Sequence, residues 1–176
     1  MKNFIIFITI GLLFAAIPGE IANQLIVHRS LTGFASTMVI YVFFLGFGYF
    51  ISKIFKRKVI PTLLYFVLFG ILGLLFEYLV LRQEPEASAT GMFTFWAFLF
   101  TLPRIFTDGS GEFADFKKKV TKYWLISSPP VLIVFLIPHD VGTYLGIILY
   151  VIQLLGFYVF YVPYLRRLHK LSGQKI

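Results

Sequence analysis

Six apolar segments, each long enough to cross a lipid bilayer as a helix, follow one another along this chain. A membrane-spanning helix needs about 20 mostly apolar residues, and the links between these segments are short. The predicted spans are Phe4–Val27, Phe34–Ile54, Ile60–Leu81, Ala89–Phe106, Val120–Ile137 and Val141–Leu165. The sequence therefore predicts an all-α integral membrane protein with six transmembrane helices, forming a single polytopic membrane domain over residues 1–176.

Composition excludes the other broad classes of protein. The chain is 59% apolar and 14% charged, and its mean hydropathy is +0.85. Soluble domains are about 45–50% apolar and about 25% charged, so a soluble domain of this size would have no means of burying its apolar surface. Intrinsic disorder is excluded because it requires low hydrophobicity and high charge density.

Lys and Arg residues are distributed unequally between the two sides that six spans define. With a cytoplasmic N-terminus, only Arg29 and Arg82 of the 16 lie on the outer side. Short loops with such a bias set the orientation of a membrane protein. The sequence therefore predicts a multi-pass protein of the cytoplasmic cell membrane with both termini in the cytoplasm. The net charge of +8 follows from this topology, and no nucleic-acid partner is expected.

One cytoplasmic segment has the pattern of an amphipathic helix. Between residues 113 and 124, apolar residues recur at helical spacing and lysines occupy the opposite side. This pattern predicts a short helix over 113–124 that lies in the cytoplasmic interface, with its lysines directed toward anionic lipid. The alternative is a solvated basic loop.

Two acidic residues, Glu20 and Glu77, fall inside the predicted spans. A charged group in hydrocarbon costs roughly 2.5–3.5 kcal/mol on insertion scales, so it indicates a functional site by default. At about 1.5 Å per residue, Glu20 lies about 10 Å and Glu77 about 6 Å from the outer end of its helix. Because both helices run outward, the two carboxylates are expected at similar depth, and they are the candidate catalytic residues.

The neighbours of Glu20 support this assignment. Asn23 and Gln24 follow at three and four positions, so they share its helix face and are candidate substrate-binding residues. Pro18 removes a backbone donor and predicts a kink, and kinked helices at membrane depth border protein or a watery cavity. The alternative is that Glu20 only bonds to a neighbouring helix and holds the bundle together.

Glu77 shares a helix face with Gly70 and Gly73. Small residues on a membrane helix allow another backbone to approach closely. This pattern predicts that Glu77 faces the bundle, and the alternative is that its side chain reaches the nearby interface.

Three further polar residues complete the predicted substrate-binding set: Thr94 in the fourth span, and Tyr150 and Gln153 in the sixth. Thr94 belongs to a helical stripe with Thr101 and Arg104, which indicates a common face. Such a stripe reflects helix packing as readily as a binding site, and Arg104 is expected to extend to the cytoplasmic interface.

Several kinds of chemistry have no counterpart in the sequence. There are no cysteines, and the three histidines lack zinc-binding spacing. The chain has no nucleotide-binding fingerprint. Neither a metal nor a cofactor is therefore expected.

Three functions remain open. The leading one is binding or transport of a small solute, a cation or a proton at Glu20 and Glu77, since buried carboxylates exchange protons. A single chain of six short spans has too few helices to surround a water-filled path, so this interpretation predicts a homodimer.

The second is a membrane-embedded enzyme that acts on a lipid or isoprenoid, with the two carboxylates as acid and base. The third is a non-catalytic membrane subunit that docks a partner subunit through glycine-rich faces.

Overall fold

The computed structural model of the protein describes residues 1–21, 24–25, 28–79, 89–108, 111–137 and 140–173, and all regular structure in these ranges is helical. The helices are α1 (Lys2–Gly11), α2 (Ile17–Glu20), α3 (Leu31–Ile54), α4 (Val59–Leu79), α5 (Ala89–Phe106), α6 (Ala114–Phe135), α7 (Asp140–Gly156) and α8 (Tyr158–Gly173). A π-helical turn, Leu12–Ala16, joins α1 to α2, and a 3-10 turn, Gly111–Phe113, precedes α6.

Five helical stretches are long and apolar enough to cross a membrane, which indicates a membrane protein. They are Lys2–Glu20, Leu31–Ile54, Val59–Leu79, Ala89–Phe106 and Tyr144–Gly173. The predicted fifth span, 120–137, is not among them, because it is continuous with the lysine-rich segment that precedes it. The structure thus joins the predicted interfacial helix 113–124 and the predicted fifth span in one helix, α6.

The helix α5 forms the centre of the bundle. It packs against α1, α3, α4 and α7, and twelve of its 18 residues are buried. Glycines on the neighbouring helices allow this close approach. A Cβ atom on Gly48 of α3 would overlap the ring of Phe100, and one on Gly73 of α4 would overlap Trp96.

The first helical stretch accommodates Pro18 without a break. Pro18 has no N–H group to donate to the carbonyl of Phe14. The preceding turn widens to π geometry, in which the N–H of Ile17 bonds to the carbonyl of Leu12. Such π-helical turns relieve a disrupted hydrogen-bond ladder. Glu20 therefore lies at the end of α2, directly after an irregular turn.

The C-terminal third is a pair of antiparallel helices, α6 and α7, followed after a one-residue turn by α8. Phe135 of α6 packs on Gly146 of α7, and Tyr123 of α6 packs on Gly156. The predicted sixth span is divided at Phe157 into α7 and α8, and the ring of Phe157 is buried at this junction.

The contact between Gly73 and Trp96 makes a stability prediction. A Gly73→Ala substitution is expected to lower the free energy of unfolding in detergent by about 1–3 kcal/mol, because the added methyl group overpacks the α4–α5 interface. Gly46→Ala is the control, since a Cβ there meets Phe4 at an ordinary 3.9 Å. Equal stability of the two variants would contradict the packing described here.

Candidate functional site

Two carboxylates, a tyrosine and a tryptophan from four helical elements meet at one end of the bundle. Glu20 of α2 accepts a 3.0 Å hydrogen bond from the Tyr41 hydroxyl of α3. Glu77 of α4 accepts a 3.0 Å hydrogen bond from the Trp96 indole of α5. The rings of Tyr41 and Trp96 are 5.7 Å apart, and Glu20 and Glu77 lie within electrostatic range of each other. We call these four residues the carboxylate cluster.

Glu20 is the more buried of the two acids. Its exposed fraction is 8%, and its Oε2 atom has no hydrogen-bond partner among the described residues. The Gln24 side chain also approaches the carboxylate as a hydrogen-bond partner, but Oε2 itself stays without one. A buried carboxylate oxygen without a donor is costly, so Glu20 is poised to accept a proton or another cation.

Aromatic rings surround the carboxylates. Phe95 lies edge-on to Tyr41 at 6.1 Å and contacts the ring of Tyr150 at 6.5 Å. The Tyr150 hydroxyl donates to the Ala15 carbonyl at 3.2 Å, in the π-helical turn. Gly19 makes room for this hydroxyl, because a Cβ there would lie 3.0 Å from it. Ring faces of this kind stabilise organic cations as well as apolar groups.

An apolar groove adjoins the cluster. It has a volume of about 340 Å³, and it lies among α3, α4 and α5. Its lining is Phe44, Phe47, Phe69, Leu72, Gly73, Leu75, Phe76, Leu79, Trp96 and Phe100. Trp96 belongs to both features, since it lines the groove and donates to Glu77.

The structure separates the residues predicted to bind substrate. Tyr150 lies beside the carboxylate cluster, in electrostatic range of Glu20, and Gln24 is also near. Thr94 instead pairs with the hydroxyl of Tyr158 at 3.3 Å, away from the carboxylates. Asn23 lies outside the described residues.

Gln153 belongs to a different polar group, between α6 and α7. Its Nε2 atom donates to the hydroxyls of Ser127 and Ser128, both at 2.8 Å. Its backbone carbonyl accepts from the Tyr123 hydroxyl at 2.9 Å. These bonds follow the pattern of interhelical polar contacts that hold membrane helices together.

Arg104 is held by the end of a neighbouring helix. Its exposed fraction is 6%. Its Nη2 atom donates to the carbonyls of Phe55 and Lys56, at 2.7 and 3.0 Å, and its guanidinium lies 4.8 Å from the ring centre of Tyr65. Carbonyls at the end of α3 attract a cation because they carry the negative end of the helix dipole.

Other charged residues gather near Arg104. Arg57 forms a 2.6 Å ion pair with Asp108, and Lys117 donates to the backbone carbonyl of Asp108. Partial burial lowers the pKa of the Lys117 ammonium; Asp108 raises this pKa, and Arg57 lowers it. We call Arg57, Arg104, Asp108 and Lys117 the basic cluster.

Tyr41 and Trp96 were not identified from the sequence. Each lies within an apolar run, and single-helix periodicity does not show which carboxylate a distant ring will meet. One signal was present: buried Tyr and Trp side chains normally find a hydrogen-bond partner, and Glu20 and Glu77 are the only carboxylates in the predicted spans.

Within the described part of the chain, no group of three or more His, Asp or Glu side chains is placed to hold a metal ion. Comparison with models of protein families finds no match, and neither the curated proteins nor the solved structures contain a significant one.

The bond between Tyr41 and Glu20 is testable by a double-mutant cycle. Tyr41→Phe is expected to lower the free energy of unfolding in detergent by about 1 kcal/mol, because Oε1 of Glu20 then loses the donor supplied by Tyr41. In a Glu20→Ala background the same change should have little effect. Tyr49→Phe, on the same helix, is the control. An equal loss in both backgrounds would show that the bond does not stabilise the fold.

Proposed function

We propose that the protein crosses the cytoplasmic membrane six times, with both termini in the cytoplasm. In this arrangement α6 supplies the fifth crossing and α7 with α8 the sixth. The distribution of charge supports the proposal. The basic cluster takes residues from the α3–α4 link and from α6, and these two segments carry many of the lysines and arginines of the chain. The carboxylate cluster then lies in the outer half of the membrane.

This topology predicts how two single-cysteine variants will react. The chain has no native cysteine, so His28→Cys and His169→Cys each introduce the only one. In intact cells, a membrane-impermeant maleimide should label His28→Cys, whereas His169→Cys should react only after permeabilisation. Labelling of both variants in intact cells would contradict an even number of crossings.

We propose further that the carboxylate cluster binds a small cation, either a proton or an organic cation, and that the protein carries it across the membrane. The observation that carries this proposal is a pair of acids, Glu20 buried and Glu77 partly buried, without a cationic partner. Among the described residues, the ion pairs join Arg57 to Asp108 and Lys119 to Asp115, and neither includes Glu20 or Glu77. Exposed His28 lies within electrostatic range of Glu20 but makes no ion pair with it.

Physical chemistry favours a cation at this position. Two carboxylates in a low-dielectric surrounding repel each other, and burial opposes their ionisation. A proton or a bound cation removes both costs. The apolar, aromatic surroundings supplied by Tyr41, Phe95 and Trp96 favour an organic cation over a hydrated metal ion, because a weakly hydrated charge loses less on leaving water.

A binding experiment with tetraphenylphosphonium, an aromatic monovalent cation, tests the proposal. Purified protein should bind the probe saturably, and Glu20→Gln should weaken binding about tenfold or more, as expected for loss of a charged partner. Asp115→Asn is the control, because Asp115 is exposed and paired with Lys119. Equal affinity of wild type and Glu20→Gln would contradict a cation site at Glu20.

The apolar groove favours a second function, in which the protein binds or modifies a lipid or isoprenoid. An apolar chain in the groove would contact Trp96, which holds Glu77, so its polar end would lie beside a carboxylate able to act in acid–base chemistry. A scaffold role, with docking of a partner subunit or of a second copy, has no specific observation in its favour.

Mass spectrometry of co-purified lipid tests this second function. Leu75→Trp is expected to fill the groove and to reduce a specifically retained lipid, since Leu75 lines it. Ile71→Trp is the matched control, because Ile71 is similarly exposed on the same helix, at 48% against 47%, but does not line the groove. Retention of the same lipid by both variants would exclude the groove as its site.

A further inference from the structure

The basic cluster presents more positive than negative charge. Its three cations come from three parts of the fold: Arg57 from the link between α3 and α4, Arg104 from α5, and Lys117 from α6. Asp108 is the only acid of the cluster, and it engages both Arg57 and Lys117. In the described part of the chain, Arg104 has no carboxylate within ion-pair distance.

Arg104 also has unused hydrogen-bonding capacity. The residue is buried, with an exposed fraction of 6%. Although Nη2 donates to two carbonyls, Nη1 is buried without a hydrogen-bond partner among the described residues. A buried guanidinium nitrogen without an acceptor is costly, and an anion would satisfy it.

The first turn of α6 adds a second donor group to this place. Phe113, at the N-cap, gives no side-chain hydrogen bond to the first turn of this 22-residue helix. The helix dipole and the backbone N–H groups at such an end attract anions. Lys117 lies one turn further on, and Arg167 of α8 lies over the ring of Phe113 at 5.9 Å.

We propose that the basic cluster binds a phosphate group, carried by an anionic lipid of the inner leaflet or by a free phosphate. Arg57, with 48% of its side chain exposed, and Lys117 contact the group from the solvent side. The buried Arg104 provides positive charge and the unpaired Nη1 donor. Guanidinium groups suit phosphate because their planar N–H groups match its oxygens. This site is independent of the cation site proposed at the opposite end.

The test compares lipid and free phosphate as separate sources of the same group. Native mass spectrometry of the protein in neutral detergent would compare the number of bound phosphatidylglycerol molecules with the number of bound phosphatidylcholine molecules. A parallel thermal-unfolding series would add inorganic phosphate against chloride at equal ionic strength. The variants are Arg57→Gln/Lys117→Gln and, as control, Lys118→Gln, which removes an exposed lysine next to Lys117.

A lipid site predicts that wild type and Lys118→Gln retain phosphatidylglycerol selectively, and that the double variant loses about fivefold or more of this selectivity. A site for free phosphate predicts instead that phosphate raises the unfolding temperature of wild type but not that of the double variant. If the double variant does not fold, the wild-type comparisons decide alone. The proposal is overturned if wild type shows neither preference, or if the double variant matches Lys118→Gln.

Discussion

The close approach of α5 to α4 at Gly73 is the contact on which the rest of the bundle depends. Because Gly73 has no side chain, Trp96 lies directly against the α4 backbone, and its indole nitrogen reaches Glu77 one turn further along. The same ring packs against Tyr41, which holds Glu20. One packing contact thus fixes the distance between two acids that lie far apart in the sequence, and it also forms part of the apolar groove.

The two ends of the bundle hold ionisable groups of opposite sign, and both do so through neutral hydrogen-bond partners. At one end, Glu20 and Glu77 are held by neutral donors, Tyr41 and Trp96, and the described residues offer them no salt-bridge partner. At the other end, Arg104 is held by backbone carbonyls and a ring face. Neutral hydrogen bonds fix these ionisable groups in position without supplying a counter-charge. Each end is therefore expected to favour a ligand of opposite charge, a cation at the acids and an anion at the arginine.

Much of the helical layout could be predicted from the sequence, because apolar runs and glycine faces are local signals. The orientation of Glu77 toward the bundle followed from its register with Gly70 and Gly73, and Pro18 indicated the irregular turn before Glu20. The burial of Arg104 was not predictable, because its acceptors, the carbonyls of Phe55 and Lys56, lie at the C-terminal end of another helix, α3. Likewise, the division of the polar residues into separate groups depends on how the helices pack, which one-dimensional periodicity does not specify.

The central claim is that a cation binds beside Glu77 and Trp96, and fluorescence tests it most directly. The chain has two tryptophans, so Trp124→Phe leaves Trp96 as the only emitter. Tetraphenylphosphonium should change its emission saturably, whereas tetraphenylborate, an anion of the same shape, should not, and Glu77→Gln should abolish the response. An equal response to both ions, or one that persists in Glu77→Gln, would contradict the claim.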